Sequence, residues 1–327
     1  MFQQISFFVG NSKYTTTMDL QFDDVAQAWK EDKRKHVKQS SYATYVQLLN
    51  AYIRPYFGAS GGMSVNDDSI QDFVDLSVQK GLNVKTIKDA VIVLKMILRH
   101  GAKLGAWTYA DARIQYPHQA AAGAGKMKII SAGNAAKLMA YLQENLSHKN
   151  LGILITMQTG IRIGEICALQ WRDIDLREGV VCIRKTVFRI WMKDGKEKQN
   201  ALVVGSPKTL ESEREIPLSA SLMKILRPLV KSARGDYFII SNSATPTEPR
   251  LYRQYFYRLL ASLGIPRIKY HSLRHGFATR CIASGGDYKT VSAILGHASV
   301  STTMNLYVHP GNKEKLRCIE NMLRKTM

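Results

Sequence analysis

Cysteine is scarce in this 327-residue chain: Cys167, Cys182, Cys281 and Cys318 lie far apart, and none forms a C-x-x-C pair. That spacing suggests neither a zinc site nor a disulfide framework, and reduced cytoplasmic thiols are the default reading. Long apolar runs are missing too. None approaches the ~20 residues that a membrane span needs, so no membrane partner is expected. The opening MFQQISFFVGNSKY has no basic start ahead of a long apolar stretch, which makes residues 1–18 a poor signal peptide and a better short arm. No internal repeat is visible. Acidic residues are in deficit: 26 Asp and Glu stand against 46 Lys and Arg, for a net charge of +20.

The imbalance is uneven. Residues 1–118 hold 14 Lys and Arg against 11 Asp and Glu, whereas residues 119–327 hold 32 against 15. Solubility needs only a modest net charge. A folded domain as basic as the second part binds a polyanion by neutralising phosphates and releasing counterions. Hydrophobic residues make up 45% of the chain, which argues for sizeable cores and against wholesale disorder. The length suits two ordinary domains.

Helical stripes organise the first hundred residues. Phe22, Val25, Ala26 and Trp29 share one face at helical spacing. Tyr42, Tyr45, Leu49 and Ile53 do the same after Ser40-Ser41, a candidate N-cap. Ile70, Phe73, Val74 and Val78 form a third stripe ahead of Gly81, and Val84, Ile87, Val91, Leu94 and Leu98 a fourth. Gly58–Gly62 reads as a loop. These elements predict a helical bundle over 19–118. Gln119–Gly125 carries no large side chain, so a flexible joint is expected over 119–127, with the second domain running over 128–327. There, 131–145 and 148–159 read as helices and Val180–Trp191 as strand, with Asp194-Gly195 as a hairpin turn. A strand pair is expected between Ala201–Gly205 and Arg214–Pro217 across Ser206–Thr209, and mostly helix from Ala220 onward. The predicted fold is mainly α with a small antiparallel β-sheet.

Polar residues suited to phosphate chemistry punctuate this second domain. Arg162 lies in TGIRIGEICALQWRDID, with Glu165 one helical turn on, and Lys208 in the turn of SPKTLESEREIPL. His271 and Arg274 lie three apart in HSLRHGFAT, on one helix face. His297 lies in ILGHASVSTTMNLYVH, and Tyr307 follows ten residues later. Taken singly, each has a plain structural reading: a helix-terminal charge, a solvated lysine, a hydrogen-bonded histidine, a half-buried tyrosine. His275 and His309 stay in that plain class.

Jointly and in this order, Arg, Lys, H-x-x-R, G-H and Tyr resemble the tyrosine recombinases, the phage-integrase family. The resemblance covers about 128 to the end, including the 23-residue gap from Arg274 to His297 and the ten-residue gap to Tyr307. The bundle is similar, more loosely, to the family's SAM-like core-binding domain. The resemblance implies a core-binding domain followed by an α+β catalytic domain. It further implies a reaction that needs neither cofactor nor metal, double-stranded DNA recombination sites as substrate, and a homotetramer assembled on DNA, with possible DNA-bending accessory proteins.

Attack on a phosphodiester builds charge on two non-bridging oxygens, which two guanidiniums can grip with paired hydrogen bonds. The resemblance gives that role to Arg162 and Arg274, with His297 adding a further donor. Tyr307, a phenol of pKa near 10, becomes the nucleophile. His271 is the candidate general base and Lys208 the candidate general acid for the departing 5′ oxygen. Glu165 orients its neighbours. The covalent 3′-phosphotyrosine conserves the bond energy, so rejoining needs no ATP. Two other functions fit parts of the pattern. One is a type IB topoisomerase-like enzyme, against which the bundle and the LGH segment argue; the other is a catalytically inactive DNA-binding regulator, against which the intact constellation argues. Beyond Tyr307, Asn312 can cap a tail helix over 312–327 whose stripe Leu316, Ile319, Met322 and Leu323 covers either its own domain or a neighbouring protomer.

Overall fold

The computed structural model describes residues 20–58, 66–111, 113–117, 129–194, 197–207 and 210–307, with 316, 320, 322 and 323. The expected arm over 1–18, the rest of the Gly58–Gly62 loop, the linker over 119–127, Gly195, Lys208 and most of the tail helix fall outside them. The described residues group into two compact units, one within Met1–Ala122 together with Ile190–Ala201, the other within Gly123–Arg189 and Leu202–Met327.

The first unit is helical. Helix α1 (Phe22–His36) opens with Asp23 and Asp24 and closes with Lys33, Arg34, Lys35 and His36, charges that complement its dipole. It buries Phe22, Val25, Ala26 and Trp29, the expected stripe. Helix α2 (Gln39–Leu48) passes through a π turn, Leu49–Ile53, into α3 (Arg54–Phe57). The cap expected at Ser40-Ser41 is displaced: the Lys38 carbonyl takes the first turn's N–H groups from Ser41 and Tyr42, so both serines lie inside the helix. Asn66 caps α4 (Asp67–Gln79), accepting from Ser69, and Asn83 caps α5 (Val84–Lys103). Gly81 follows α4 at φ +74°, where the chain turns. Trp29, Leu49, Ile53, Ile70, Ile87, Leu94 and Leu98 fill the shared core.

Residues 190–201 belong with this bundle. Lys30 Nζ donates to both carboxylate oxygens of Asp194, at 2.9 and 2.7 Å, and Asn50 Nδ2 donates to the Lys193 carbonyl at 3.1 Å. Lys30 is only 4% exposed, so it serves as a structural cation here.

In the second unit, α6 (Ala132–Glu144) and α7 (His148–Thr159) fall where the periodicity predicts. Buried on nearly every face, α7 packs against α6, against the short α8 (Ile163–Ala168) and against α11 (His271–Ala283). The strand expected over Val180–Trp191 is two, β2 (Val180–Ile183) and β3 (Thr186–Asp194), separated by Arg184-Lys185. The expected pairing of Ala201–Gly205 with Arg214–Pro217 is also different. β4 (Glu197–Gly205) pairs with β3, while β5 (Arg214–Pro217) runs antiparallel to β2, with Ile183 opposite Arg214. The physical reason is burial: Val181, Ile183 and Ile216 are at most 2% exposed and complete the core from that sheet, which β1 (Ile174–Asp175) extends. Helices α9 (Ala220–Ser232), α10 (Pro249–Ser262), α12 (Tyr288–Leu295) and α13 (Val300–Tyr307) complete the described part of this unit. The fold is mainly helical with small antiparallel sheets.

Candidate active site

Two left-handed glycines shape the site. Gly160 (φ +68°) ends α7, and a Cβ there would lie 2.6 Å from the Phe277 ring and 2.7 Å from Leu295. Gly296 (φ +63°) ends α12, and a Cβ there would lie 2.9 Å from the Glu211 carbonyl and 3.0 Å from Arg214 Cδ. Both positions therefore demand glycine twice, for backbone conformation and for space. The turns they make expose carbonyls, and arginines collect there.

Three consecutive carbonyls at the end of α12 each accept from a different guanidinium. Ile294 accepts from Arg214 Nε at 2.6 Å, Leu295 from Arg274 Nη2 at 2.7 Å, and Gly296 from Arg162 Nη2 at 2.9 Å. Arg274 also donates from Nη1 to the Gly160 carbonyl at 2.9 Å, tying the end of α7 to the end of α12. The last carbonyls of a helix lack intrahelical donors and carry the negative end of its dipole, so cations are stabilised there. Arg274 is 2% exposed, a buried charge held by backbone, whereas the Arg162 side chain keeps 35% of its surface.

Glu165 fixes Arg162 from the other side. Its Oε2 accepts the Arg162 backbone N–H at 2.9 Å, the reach-back contact of a capping box, and its Oε1 accepts from Arg162 Nη1 at 2.6 Å. Arg214 Nη2 donates to the same carboxylate at 2.9 Å. Burial pushes the Glu165 carboxyl up, but the hydrogen bond and charge of Arg214, with Arg162, outweigh it and hold the group below the usual carboxylate range.

The histidines flank this arginine cluster. His271 opens α11 and is exposed to solvent, its ring edge-on to His275 at 4.6 Å between centroids. Crowding by the surrounding protein, then the neighbouring His275, Arg274 and Arg162, push its pKa down to about 4. Burial, then Arg274 and Arg162, push His297 to about 4 as well. Both imidazoles are thus neutral at physiological pH, and a neutral ring can accept a proton. His297 Nδ1 is hydrogen-bonded at 2.8 Å to Thr303 Oγ1, on α13, and Thr303 is fully buried. Tyr307 is the last residue of α13; its side chain, like all of Lys208, lies outside the described residues.

The structure thus brings together Arg162, Glu165, His271, Arg274 and His297. Sequence reasoning missed Arg214 and Thr303. A signal for Arg214 existed: it shares a strand face with buried Ile216, two residues on, so its side chain points inward. Among the described residues, no group of three or more His, Cys, Asp or Glu is placed to hold a metal ion. No described helix is long and apolar enough to cross a membrane.

A helical bundle followed by a mainly helical domain with this polar cluster defines a known class, and residues 128–314 match the phage integrase family. The chain belongs to that family. Residues 21–75 match the phage integrase N-terminal SAM-like domain. Among curated proteins, the chain is similar to the ICEBs1 integrase of Bacillus subtilis, 26% identical over 293 residues, covering 85% of this chain and 76% of that one. It is also similar to a tyrosine recombinase XerC-like protein of Caldanaerobacter subterraneus subsp. tengcongensis, 28% identical over 186 residues, covering 52% of this chain and 47% of that one. The chain therefore spans about half the length of the second relative and three quarters of the first. Two solved structures share the fold. The Tn1549 transposon integrase in complex with transposon right end DNA has a TM-score of 0.71 at 20% identity, covering 91% of this chain and 99% of that one. The lambda integrase tetramer bound to a Holliday junction has a TM-score of 0.58 at 17% identity, covering 89% and 78%.

Proposed function

We propose that this chain is a site-specific tyrosine recombinase that integrates or excises a mobile element or phage. The observation that carries the reading is the placing of Arg162 and Arg274 on adjacent carbonyls, Gly296 and Leu295, directly ahead of His297. That arrangement holds two guanidiniums and an imidazole at one helix end, ready for a single phosphate. In this reading Arg162 and Arg274 bind the non-bridging oxygens, and their charge grows in worth as the transition state forms. With Nδ1 engaged by Thr303, His297 offers Nε2 to the same phosphate.

Tyr307 Oη attacks phosphorus, the bond to the 5′ oxygen breaks, and a 3′-phosphotyrosine forms. Neutral His271 takes the phenol proton, and Lys208 gives one to the departing oxygen. Attack by another strand's 5′ hydroxyl reverses the sequence and frees Tyr307. The net charge of +20 supports DNA as the partner. The helical bundle acts as the core-binding domain, and a tetramer on DNA is supported by the assembly named for the lambda integrase.

A nicked suicide duplex, made from the DNA flanking the chain's native locus, tests the reading. A recombinase forms a covalent adduct only with its own site. An adduct formed equally well on unrelated DNA points to a topoisomerase, and DNA binding without an adduct to a regulator.

A further inference from the structure

Arg214 appears nowhere among the reacting groups above, yet it touches the segments that carry Arg162 and His297. Its side chain is only 6% exposed. Its Nε donates to the Ile294 carbonyl at 2.6 Å, three residues before His297. Its Nη1 donates to the Ser212 carbonyl at 2.9 Å, at the end of the tight helical turn Leu210–Ser212 that precedes β5. Its Nη2 donates to Glu165 Oε2 at 2.9 Å, and Nη1 approaches Oε1 at 3.3 Å. Glu165 in turn holds both the backbone and the guanidinium of Arg162.

We propose that Arg214 is a positioning residue of the strand-cleavage reaction, joining the Ser212 turn ahead of β5, the turn that carries His297 and, through Glu165, the Arg162 guanidinium into one rigid unit. The inference rests on the recombinase reading. Only a planar guanidinium supplies several donors in a fixed fork; a lysine offers one charged point. The site is built around this fork, since a Cβ on Gly296 would lie 3.1 Å from Arg214 Nη1. The backbone of Arg214 is itself anchored, because β5 pairs with β2 along its length. A buried ion pair is weak evidence for a stabilising role, whereas its use in fixing a geometry is better founded.

The charge on Glu165 makes this role measurable. The groups facing that carboxylate are Arg162 at the start of α8, Arg214 on β5 and His271 on α11. Without Arg214, burial dominates and the Glu165 pKa rises. A protonated Glu165 can no longer hold Arg162 through a charged contact. Because the carboxylate is needed ionised, activity is then lost as pH falls, and lost at a higher pH than in the unaltered chain.

The test is single-turnover adduct formation on the nicked suicide duplex across pH, for the full chain, Arg214→Met, Arg214→Lys, and Arg214→Met combined with Glu165→Gln. We expect Arg214→Met to slow adduct formation about 10- to 100-fold, the worth of a buried hydrogen bond to a charged group. Its acid limb moves to higher pH, and Glu165→Gln in that background abolishes the movement. Arg214→Lys keeps Glu165 charged and so keeps the unaltered profile, at a rate several-fold lower because one ammonium cannot serve Ile294, Ser212 and Glu165 together. A uniform loss at every pH in Arg214→Met would reduce Arg214 to a structural residue. Should that variant not fold, Arg214→Lys carries the test: a full rate overturns the proposal, a rate lowered together with stability in urea unfolding reduces Arg214 to a structural residue, and a rate lowered several-fold at unaltered stability upholds it. No adduct from the unaltered chain overturns the recombinase reading and this inference together; an active unaltered chain beside an unaffected Arg214 variant overturns the inference alone.

Discussion

Glu165 holds Arg162 twice, accepting its backbone N–H at 2.9 Å on one oxygen and its guanidinium at 2.6 Å on the other. A third contact, from Arg214 at 2.9 Å, leaves the carboxylate enclosed by positive charge at 2% exposure. Removing it strands a buried cation. Glu165→Ala should therefore destabilise the second unit by about 3–5 kcal/mol, read from urea unfolding. A change within 1 kcal/mol, on the order of a surface substitution, would show that the arginines find other partners.

Thr303 presents a subtler case. Its hydroxyl is the 2.8 Å partner of His297 Nδ1, and Val has nearly the same shape without the hydroxyl. Thr303→Val should slow adduct formation about 2- to 10-fold, the worth of one hydrogen bond, and should change the His297 tautomer seen by nitrogen-edited NMR. An unchanged tautomer would remove Thr303 from the account.

The histidines predict a pH window. His271 and His297 sit at about 4 in the folded chain against 6.5 ordinarily. Between these values the unfolded chain binds more protons, so stability rises with pH through the window and falls as pH drops from 6.5 towards 4. Proton NMR of the free protein should show both rings titrating well below 6. In the proposed mechanism DNA brings a phosphate beside them and should raise both values; rings that titrate near 6.5 in the free protein would contradict the electrostatics described here.

Lys30 and Asp194 give an asymmetry. The Lys30 side chain is 5% exposed and that of Asp194 17%. Asp194→Ala leaves an ammonium buried without its counterion and should cost about 3–5 kcal/mol, whereas Lys30→Met removes the charge and keeps the apolar stem, costing less. Equal losses in denaturant unfolding would mean that the pair acts by packing alone.

Much of this was legible in the sequence because it depends on local pattern. The stripe Phe22, Val25, Ala26, Trp29 and the stop at Gly160 are set by helical period and glycine conformation, and both stand in the structure. Arg162, His271, Arg274 and His297 were legible as a set from their order, and the structure brings Arg162, Arg274 and His297 to the end of α12 with His271 beside the arginines. What escaped was non-local. The partner of β5 was decided by which strands bury Val181, Ile183 and Ile216 together, a matter of tertiary packing. Arg214 lay next to a recognised strand, but its worth arises from Ile294, Ser212 and Glu165, which only the fold brings to it. The hold of Lys30 on Asp194 spans 164 residues of sequence and leaves no local trace.

The central claim is that Tyr307 is the nucleophile, and one substitution tests it. Tyr307→Phe removes the attacking oxygen and little else. On the nicked suicide duplex it should bind DNA as the unaltered chain does and form no covalent adduct, while the unaltered chain yields a denaturation-resistant protein–DNA band whose peptide carries the DNA on Tyr307. An adduct of undiminished yield from Tyr307→Phe would place the chemistry on another residue and contradict the account.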